Sequence, residues 1–372
     1  MKVTLERAAL LRSLGHVHRV VERRNTIPIL SNVLLKAIDG EVRLRATDLD
    51  LEMTESLPAD VAQAGGATVP AHTFYEIVRK LPDGAQIMLD ATGETGQLVL
   101  RAGRSRFNLQ TLPESDFPDL NAGTMTHKFE LSAGDLKSLF EQSQFAISKE
   151  ETRYYLNGIY LHTLAQEGQV VLRAVATDGH RLARIEMAAP KGAEGMSGII
   201  VPRKAVSEVL KLCENGEAQV AIEIGTGKVR FTFGDVVLTT KLIDGTFPDY
   251  ARVIPTGNPR RLTVDRQPFA AAVDRVSTIS SERGRGVKIA IADNKLTLSV
   301  NNPDSGSASE ELEVDFDSTP LEIGFNASYL MDIIGQMQGD TALFKLNDTG
   351  SAAVIQDRDG APALYVLMPM RV

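Results

Sequence analysis

The sequence predicts an α+β fold made of three tandem copies of one domain, each a pair of helices packed on antiparallel sheet. Residues 67–120 read as strand, Val-Pro, short helix, strand, Gly-containing turn, strand, strand and Phe-Pro-Asp, and residues 199–250 read the same way. Phe117 and Phe247 mark the shift of 130 residues. A third, more diverged copy occupies 323–369. The segments that open at Met1, His127 and Arg260 also match, each giving a short alternating strand and then a helix. A period this long marks repeated domains and not the units of a solenoid. The expected boundaries fall near 126 and 257, giving domains 1–126, 127–257 and 258–372.

Taken in order, the first helix is expected over roughly 7–24. Leu10, Leu14, Val17 and Val21 share one face there, and Arg12, His16, Arg19 and Arg23 lie opposite. "LRATDLDLE" at 44–52 and "LRAVATDGHRLARIE" at 172–186 close two strand sets with the same words, and the repeated Thr-Asp at 47 and 177 reads as a turn. Segment 72–81 carries Arg79 and Lys80. Segment 202–213 carries Arg203, Lys204 and Lys211, and segment 266–285 carries Arg266, Arg275, Arg283 and Arg285. "GKVRFTF" and "NKLTLSV" alternate with period 2, as strands with one buried face do.

The formal net charge of −8 argues, taken alone, against a nucleic-acid partner. Its distribution argues the other way, since the four helical segments hold 14 basic residues against five acidic ones. A merely solvated helix face is the plainer account of any one of them. The other account is a basic surface facing phosphates. No recognition helix, zinc finger or aromatic stacking motif accompanies these faces. Such contact would therefore be salt-sensitive and blind to sequence.

Catalytic motifs fail on inspection. "GTGK" at 225–228 lacks the Gly and the Ser or Thr that a phosphate loop needs, because Ile222 and Val229 stand there. His16 and His18 have no neighbouring third ligand, and Cys213 is the one cysteine, so neither a metal site nor a disulfide framework is expected. Asp178 with His180 keeps a hydrolase or transferase open, although no nucleophile elbow accompanies them. The repeats also leave open a scaffold that does not bind DNA. No apolar signal core or membrane span is present, and a reducing cytoplasm is the expected compartment. The apolar end, "ALYVLMPMRV", is either the last strand of a core or the wall of a cleft.

"RYYLNGIYLH" at 153, "ATDGHRLA" at 176, "IVPRKAV" at 200, "DGTFPDYARVIP" at 244 and the terminal "VLMPMRV" closely resemble the bacterial DNA polymerase processivity factors, the beta sliding clamp family. The resemblance covers the whole chain in motif order. It implies the DNA clamp fold, closed head to tail with a second chain into a ring with helices inside and sheets outside. The implied function is non-catalytic: encircling duplex DNA and tethering the replicative polymerase catalytic subunit, the clamp loader, and other polymerases and repair proteins. It implies no cofactor. By motif, the family's peptide pocket falls on Leu156, Thr177, Gly179, His180, Arg181, Leu182, Pro248, Arg252, Val253, Val366, Met368, Pro369, Met370 and Arg371. Arg181, Arg252 and His180 are expected to supply polar rim contacts. DNA contacts fall on Arg24, Tyr154, Tyr155, Arg203 and Lys204. The dimer seam falls on Arg104, Arg106 and Phe107 against Ile279, Glu310 and Glu311, with basic and acidic ends attracting.

Overall fold

The computed structural model describes residues 1–93, 96–120, 123–280 and 286–371. Arg283 and Arg285, counted above among the basic residues, lie outside them. The first repeat holds β1 (Lys2–Glu6), α1 (Arg7–Val17), β2 (Asn32–Ile38), β3 (Glu41–Thr47), β4 (Leu51–Pro58), β5 (Asp60–Gln63), β6 (Gly65–Pro70), α2 (Ala71–Lys80), β7 (Gln86–Asp90), β8 (Gln97–Ala102) and β9 (Ser105–Gln110). The second holds β10 (Met125–Ser132), α3 (Ala133–Gln144), β11 (Gly158–Gln166), β12 (Gln169–Thr177), β13 (Arg181–Ala188), β14 (Ile199–Pro202), α4 (Arg203–Leu212), β15 (Gln219–Gly225), β16 (Lys228–Phe233) and β17 (Val236–Lys241). The third holds β18 (Arg260–Asp265), α5 (Arg266–Ser277), β19 (Gly286–Ala292), β20 (Lys295–Asn302), β21 (Gly306–Glu313), β22 (Leu321–Asn326), α6 (Ala327–Gln336), β23 (Thr341–Leu346), β24 (Ala353–Gln356) and β25 (Ala363–Leu367). Apart from β5, the three repeats have one element order, as the sequence predicts.

The compact units do not follow the repeats. One unit comprises Met1–Asp135 with Ser207–Leu242, and the other comprises Leu136–Val206 with the chain from Ile243 onward. In the first unit, β5-β1-β7-β8-β9 form one sheet. The second sheet, β10-β15-β16-β17-β4-β3-β2-β6, joins outer strands of the second repeat to inner strands of the first. The join is the antiparallel pair β17·β4, with Leu238 opposite Met53. In the other unit, β14-β11-β12-β13-β25-β24-β23-β18 is built the same way, joined at β13·β25 with Ala183 opposite Tyr365. The last sheet, β21-β20-β19-β22, belongs to the third repeat alone. Among the described residues all the strand pairs are antiparallel, and alternation along β19, half-buried then buried throughout, shows a single core-facing side.

Helix α1 buries Leu10, Leu14 and Val17 as expected, but it ends at Val17 and not near 24. Residues 18–21 form a turn held by Val20 N–H on Val17 O and Val21 N–H on His18 O. The β-branched valines lose little by leaving the helix, and the turn carries both Val20 and Val21 into the core. His16 also departs from its expected place on the basic face. Its Nδ1 lies 2.8 Å from Glu55 Oε2, and the Ser13 hydroxyl donates to Glu55 Oε1 at 2.8 Å. Glu55 is 3% exposed, so its carboxylate depends on these partners. Nearby, burial pushes His18 below its usual value while its ring stacks on Tyr75 at 3.9 Å.

Glu55→Ala should therefore leave the Ser13 and His16 donors unpaired beneath the β4·β17 junction. The expected cost is about 1–3 kcal/mol in urea denaturation, and an unchanged midpoint would show that the network carries no stability.

Candidate functional site

The β12–β13 turn is shaped by its own side chains. Thr177 Oγ1 accepts from Gly179 N–H and donates to Arg181 O, while Asp178 Oδ1 accepts the backbone N–H of His180 and of Arg181. Gly179 has φ +89° there, a conformation glycine adopts without penalty. The β3–β4 turn repeats the design, with Thr47 Oγ1 accepting from Leu49 and Asp48 Oδ1 accepting from Asp50 and Leu51. Asp178 is therefore a turn-former, its carboxylate engaged by two backbone N–H groups and by Arg181 Nε, and His180 stands exposed beside it. The pair does not form a catalytic acid-base couple.

The terminal run does both things its composition allows. Tyr365 and Leu367 are fully buried. Val366, paired opposite Leu182 across β13·β25, joins Leu156, Leu182, Phe247 and Tyr250 in one hydrophobic cluster. Beyond β25 the tail is held by main-chain bonds, from Met368 N–H to His180 O and from Met370 N–H to Gly324 O, both 2.9 Å. Pro369 and Met370 are half-buried, and Arg371 is exposed. A single helical turn, Tyr250–Val253, lies against the cluster through Tyr250 and Ile254. It presents Val253, 57% exposed, while Met368 is 47% exposed. Large exposed apolar side chains are few among the described residues, and these two lie close along the chain to Ile254 and Val366 of the cluster. Pro248 and Arg252 are also exposed, with Arg252 Nε 2.8 Å from Asp249.

Arg181 is not the rim residue the sequence reading expected. Its guanidinium lies 5.0 Å from the Phe145 ring centre and 4.2 Å from that of Tyr329. It pairs with Asp178 at 3.2 Å and Asp332 at 2.5 Å, and it donates to Phe145 O at 2.7 Å. A guanidinium this enclosed needs all those partners, and the result staples the turn to helix α6. Tyr329, 6.3 Å from the His180 ring, and Asp332 were missed by sequence reasoning, because only the fold brings them to the turn. Tyr250 is fixed from below: its hydroxyl accepts from Arg173 at 3.3 Å and lies 2.9 Å from His162 Nε2.

The expected DNA-facing residues divide. Arg24, Tyr154 and Arg203 are exposed, whereas Lys204 is half-buried. Tyr155 is half-buried and packs against the hydrophobic cluster. Arg12, Arg19 and Arg23 are also exposed. Other basic residues are already neutralised within the chain: Arg79 by Glu76, Lys211 by Glu208 and Arg275 by Glu310. Of the expected seam, Arg104 and Arg106 are exposed and Phe107 is half-buried on the edge strand β9, while Glu310 and Glu311 lie on the edge strand β21. Ile279 is half-buried, and its carbonyl accepts from Asn302. Glu311 lies 3.3 Å from Lys295.

Among the described residues no cluster of side chains could hold a metal ion, and no helix is long and apolar enough to cross a membrane. Three family models match in succession: the N-terminal domain of the DNA polymerase III beta subunit over residues 1–121, its central domain over 130–249 and its C-terminal domain over 251–371. The chain is 52% identical over 372 residues to the beta sliding clamp of Caulobacter vibrioides and 39% identical over 373 residues to that of Escherichia coli K12, with full coverage of both chains in each case. Among solved structures it resembles the sliding clamp of Bartonella birtlesii bound to griselimycin, at 55% identity, TM-score 0.97 and full coverage of both chains. It also resembles a Caulobacter crescentus beta sliding clamp with polyethylene glycol bound to a putative beta-motif tethering region, at 52% identity and TM-score 0.97, covering 100% of this chain and 99% of that one.

Burial lowers the His162 pKa, and Arg173 adds to the effect. The unfolded chain therefore binds this proton more readily than the folded one. The associated stability is present above the ordinary histidine value of about 6.5 and is lost as pH falls through the depressed one. Thermal midpoints should drop between about pH 7.5 and 5.5, and His162→Gln should make that drop smaller; an identical drop would exclude His162 as a contributor.

Proposed function

We propose a function from one premise: this chain belongs to the DNA polymerase III beta subunit family, the beta sliding clamps. It is a DNA sliding clamp, a non-catalytic processivity factor of a DNA polymerase. We infer that two chains close head to tail into a ring around duplex DNA, with domain boundaries near 126 and 257.

The observation that carries the closed ring is the pattern of strand junctions. β17 pairs with β4, and β25 pairs with β13, each time the last strand of one repeat against the third inner strand of the preceding repeat. By that rule β9 calls for the corresponding strand of a third repeat, which is β21. Both are edge strands within the chain. An unpaired edge is a template for another strand, and a second copy supplies it at both ends. Carrying over the β17·β4 register, in which Leu238 faces Met53 and Ser56 N–H bonds Asp235 O, places Phe107 opposite Ala308 and Arg104 opposite Glu311 of the partner.

Inside such a ring, Arg24, Arg203, Lys204 and the exposed arginines of the first helical segment would meet phosphates. Tyr154 would face the duplex with them. The contacts would carry no sequence information, which suits a body that must slide. The cleft over Leu182, Val366, Val253 and Met368 would take short peptides with apolar anchors from the polymerase catalytic subunit, the clamp loader and other polymerases and repair proteins. Thr177, Gly179 and His180 form its turn wall, and Arg371 and Arg252 its charged rim. A Leu or Phe anchor contributes roughly 1.5–3 kcal/mol, so two or three anchors give affinity on the order of micromolar after ordering costs. Methionine at 368 and 370 suits a wall that repacks around different guests. The expected compartment is the cytoplasm.

Sedimentation at micromolar concentration should give about twice the chain mass of 40.4 kDa. Arg104→Glu should weaken the dimer about tenfold, roughly 1.4 kcal/mol, and adding Glu311→Arg should restore it. A monomeric wild type, or a swap without rescue, would count against this seam.

Removing Met368 to Val372 should lower the affinity for a Leu- and Phe-anchored decapeptide at least about tenfold while the dimer persists. Unchanged calorimetric affinity would refute the cleft.

A further inference from the structure

The two internal junctions share one build but not one chemistry. At β13·β25, Leu182 faces Val366 and Thr177; at β4·β17, Glu52 faces Thr239 and Thr47. The same registers set Arg45 in the place of Val175, and Arg230 in the place of Val354. Val175, Leu182, Val354 and Val366 all belong to the hydrophobic cluster of the cleft. Their counterparts Arg45, Glu52, Arg230 and Thr239 are all polar.

The framework around them is retained. Phe117 stands where Phe247 does, with Leu30 and Leu34 beside it in a smaller cluster. An open groove of about 660 Å³ remains over this junction, lined in part by Glu52, Thr239, Arg230 and Asp119. Its polar residues satisfy one another. Arg45 Nε donates to Glu52 at 2.7 Å, its Nη2 reaches Asp119 at 3.0 Å, and its guanidinium covers the Phe117 ring at 5.5 Å. Glu52 also accepts from Leu120 N–H at 3.4 Å, and Arg230 pairs with Glu223 at 3.2 Å. An apolar anchor entering here would strip water from these ions without giving a hydrogen bond in return.

We propose that the first junction is a second peptide cleft of the same build, silenced by Arg45, Glu52, Arg230 and Thr239, so that each chain offers one docking site. The proposal rests on the reading that the β13·β25 cleft takes apolar anchors. It identifies the charged residues as specificity determinants, since they reject the ligand that the equivalent surface accepts.

Calorimetry with a Leu- and Phe-anchored decapeptide tests it on the full-length chain. Wild type should bind about one peptide per chain, and Arg45→Val/Glu52→Leu/Arg230→Val/Thr239→Val about two. The converse variant, Val175→Arg/Leu182→Glu, introduces an equivalent ion pair into the β13·β25 cleft. It should lose at least about tenfold in affinity with its melting transition retained, and it decides the matter if the fourfold variant does not fold. Two sites in wild type, one site in a folded fourfold variant, or full affinity in the converse variant would each overturn the proposal. A wild type that binds no peptide would instead remove the cleft on which the proposal rests.

Discussion

Backbone pairing at strand edges is the constraint from which the rest of this molecule follows. A strand's N–H and C=O groups must find partners, and this chain supplies them across repeat boundaries. β17 closes on β4, and β25 closes on β13, so each eight-stranded sheet is assembled from two repeats. That is why the compact units cut through the sequence repeats. It also leaves β9 and β21 as the two ends of a series whose other members are already joined.

The proposed cleft is a by-product of one such junction. Pairing β25 with β13 sets Val366 beside Leu182, and the same pairing delivers Met368 N–H to His180 O. The apolar cluster beneath is therefore fixed by main-chain geometry before any guest arrives. Arg181 adds rigidity by clamping the turn to α6 between two aromatic rings. The walls that remain exposed, Val253 and Met368, stand on a short helical turn and on a tail beyond the last strand. A rigid floor with adjustable edges suits recognition of short, varied segments.

The other junction shows how little sequence is needed to change that outcome. Its strands pair in the same register, yet an ion pair stands where the cleft has two apolar side chains. Backbone pairing tolerates either set, because neighbouring strands bond through atoms that every residue shares. Chemistry can therefore diverge between repeats while architecture does not.

The sequence by itself determined the threefold repeat, the element order of each copy and the Thr-Asp turns, and it narrowed the apolar end to a core strand or a cleft wall. These follow from local periodicity and turn chemistry, which short stretches carry. It also held the motifs that mark the family and most residues of the candidate cleft. Tertiary structure alone decided which strands join, and so which repeats share a sheet. It drew His16 to Glu55 and Arg181 to Asp332, set Tyr155 half-buried against the cluster, and brought Tyr329 to the turn. Those outcomes depend on partners distant along the chain, 39 residues for His16 and 151 for Arg181. A charged or aromatic side chain reads alike in sequence whether it faces solvent or completes a buried pair, and only the fold supplies the partner that tells the two apart.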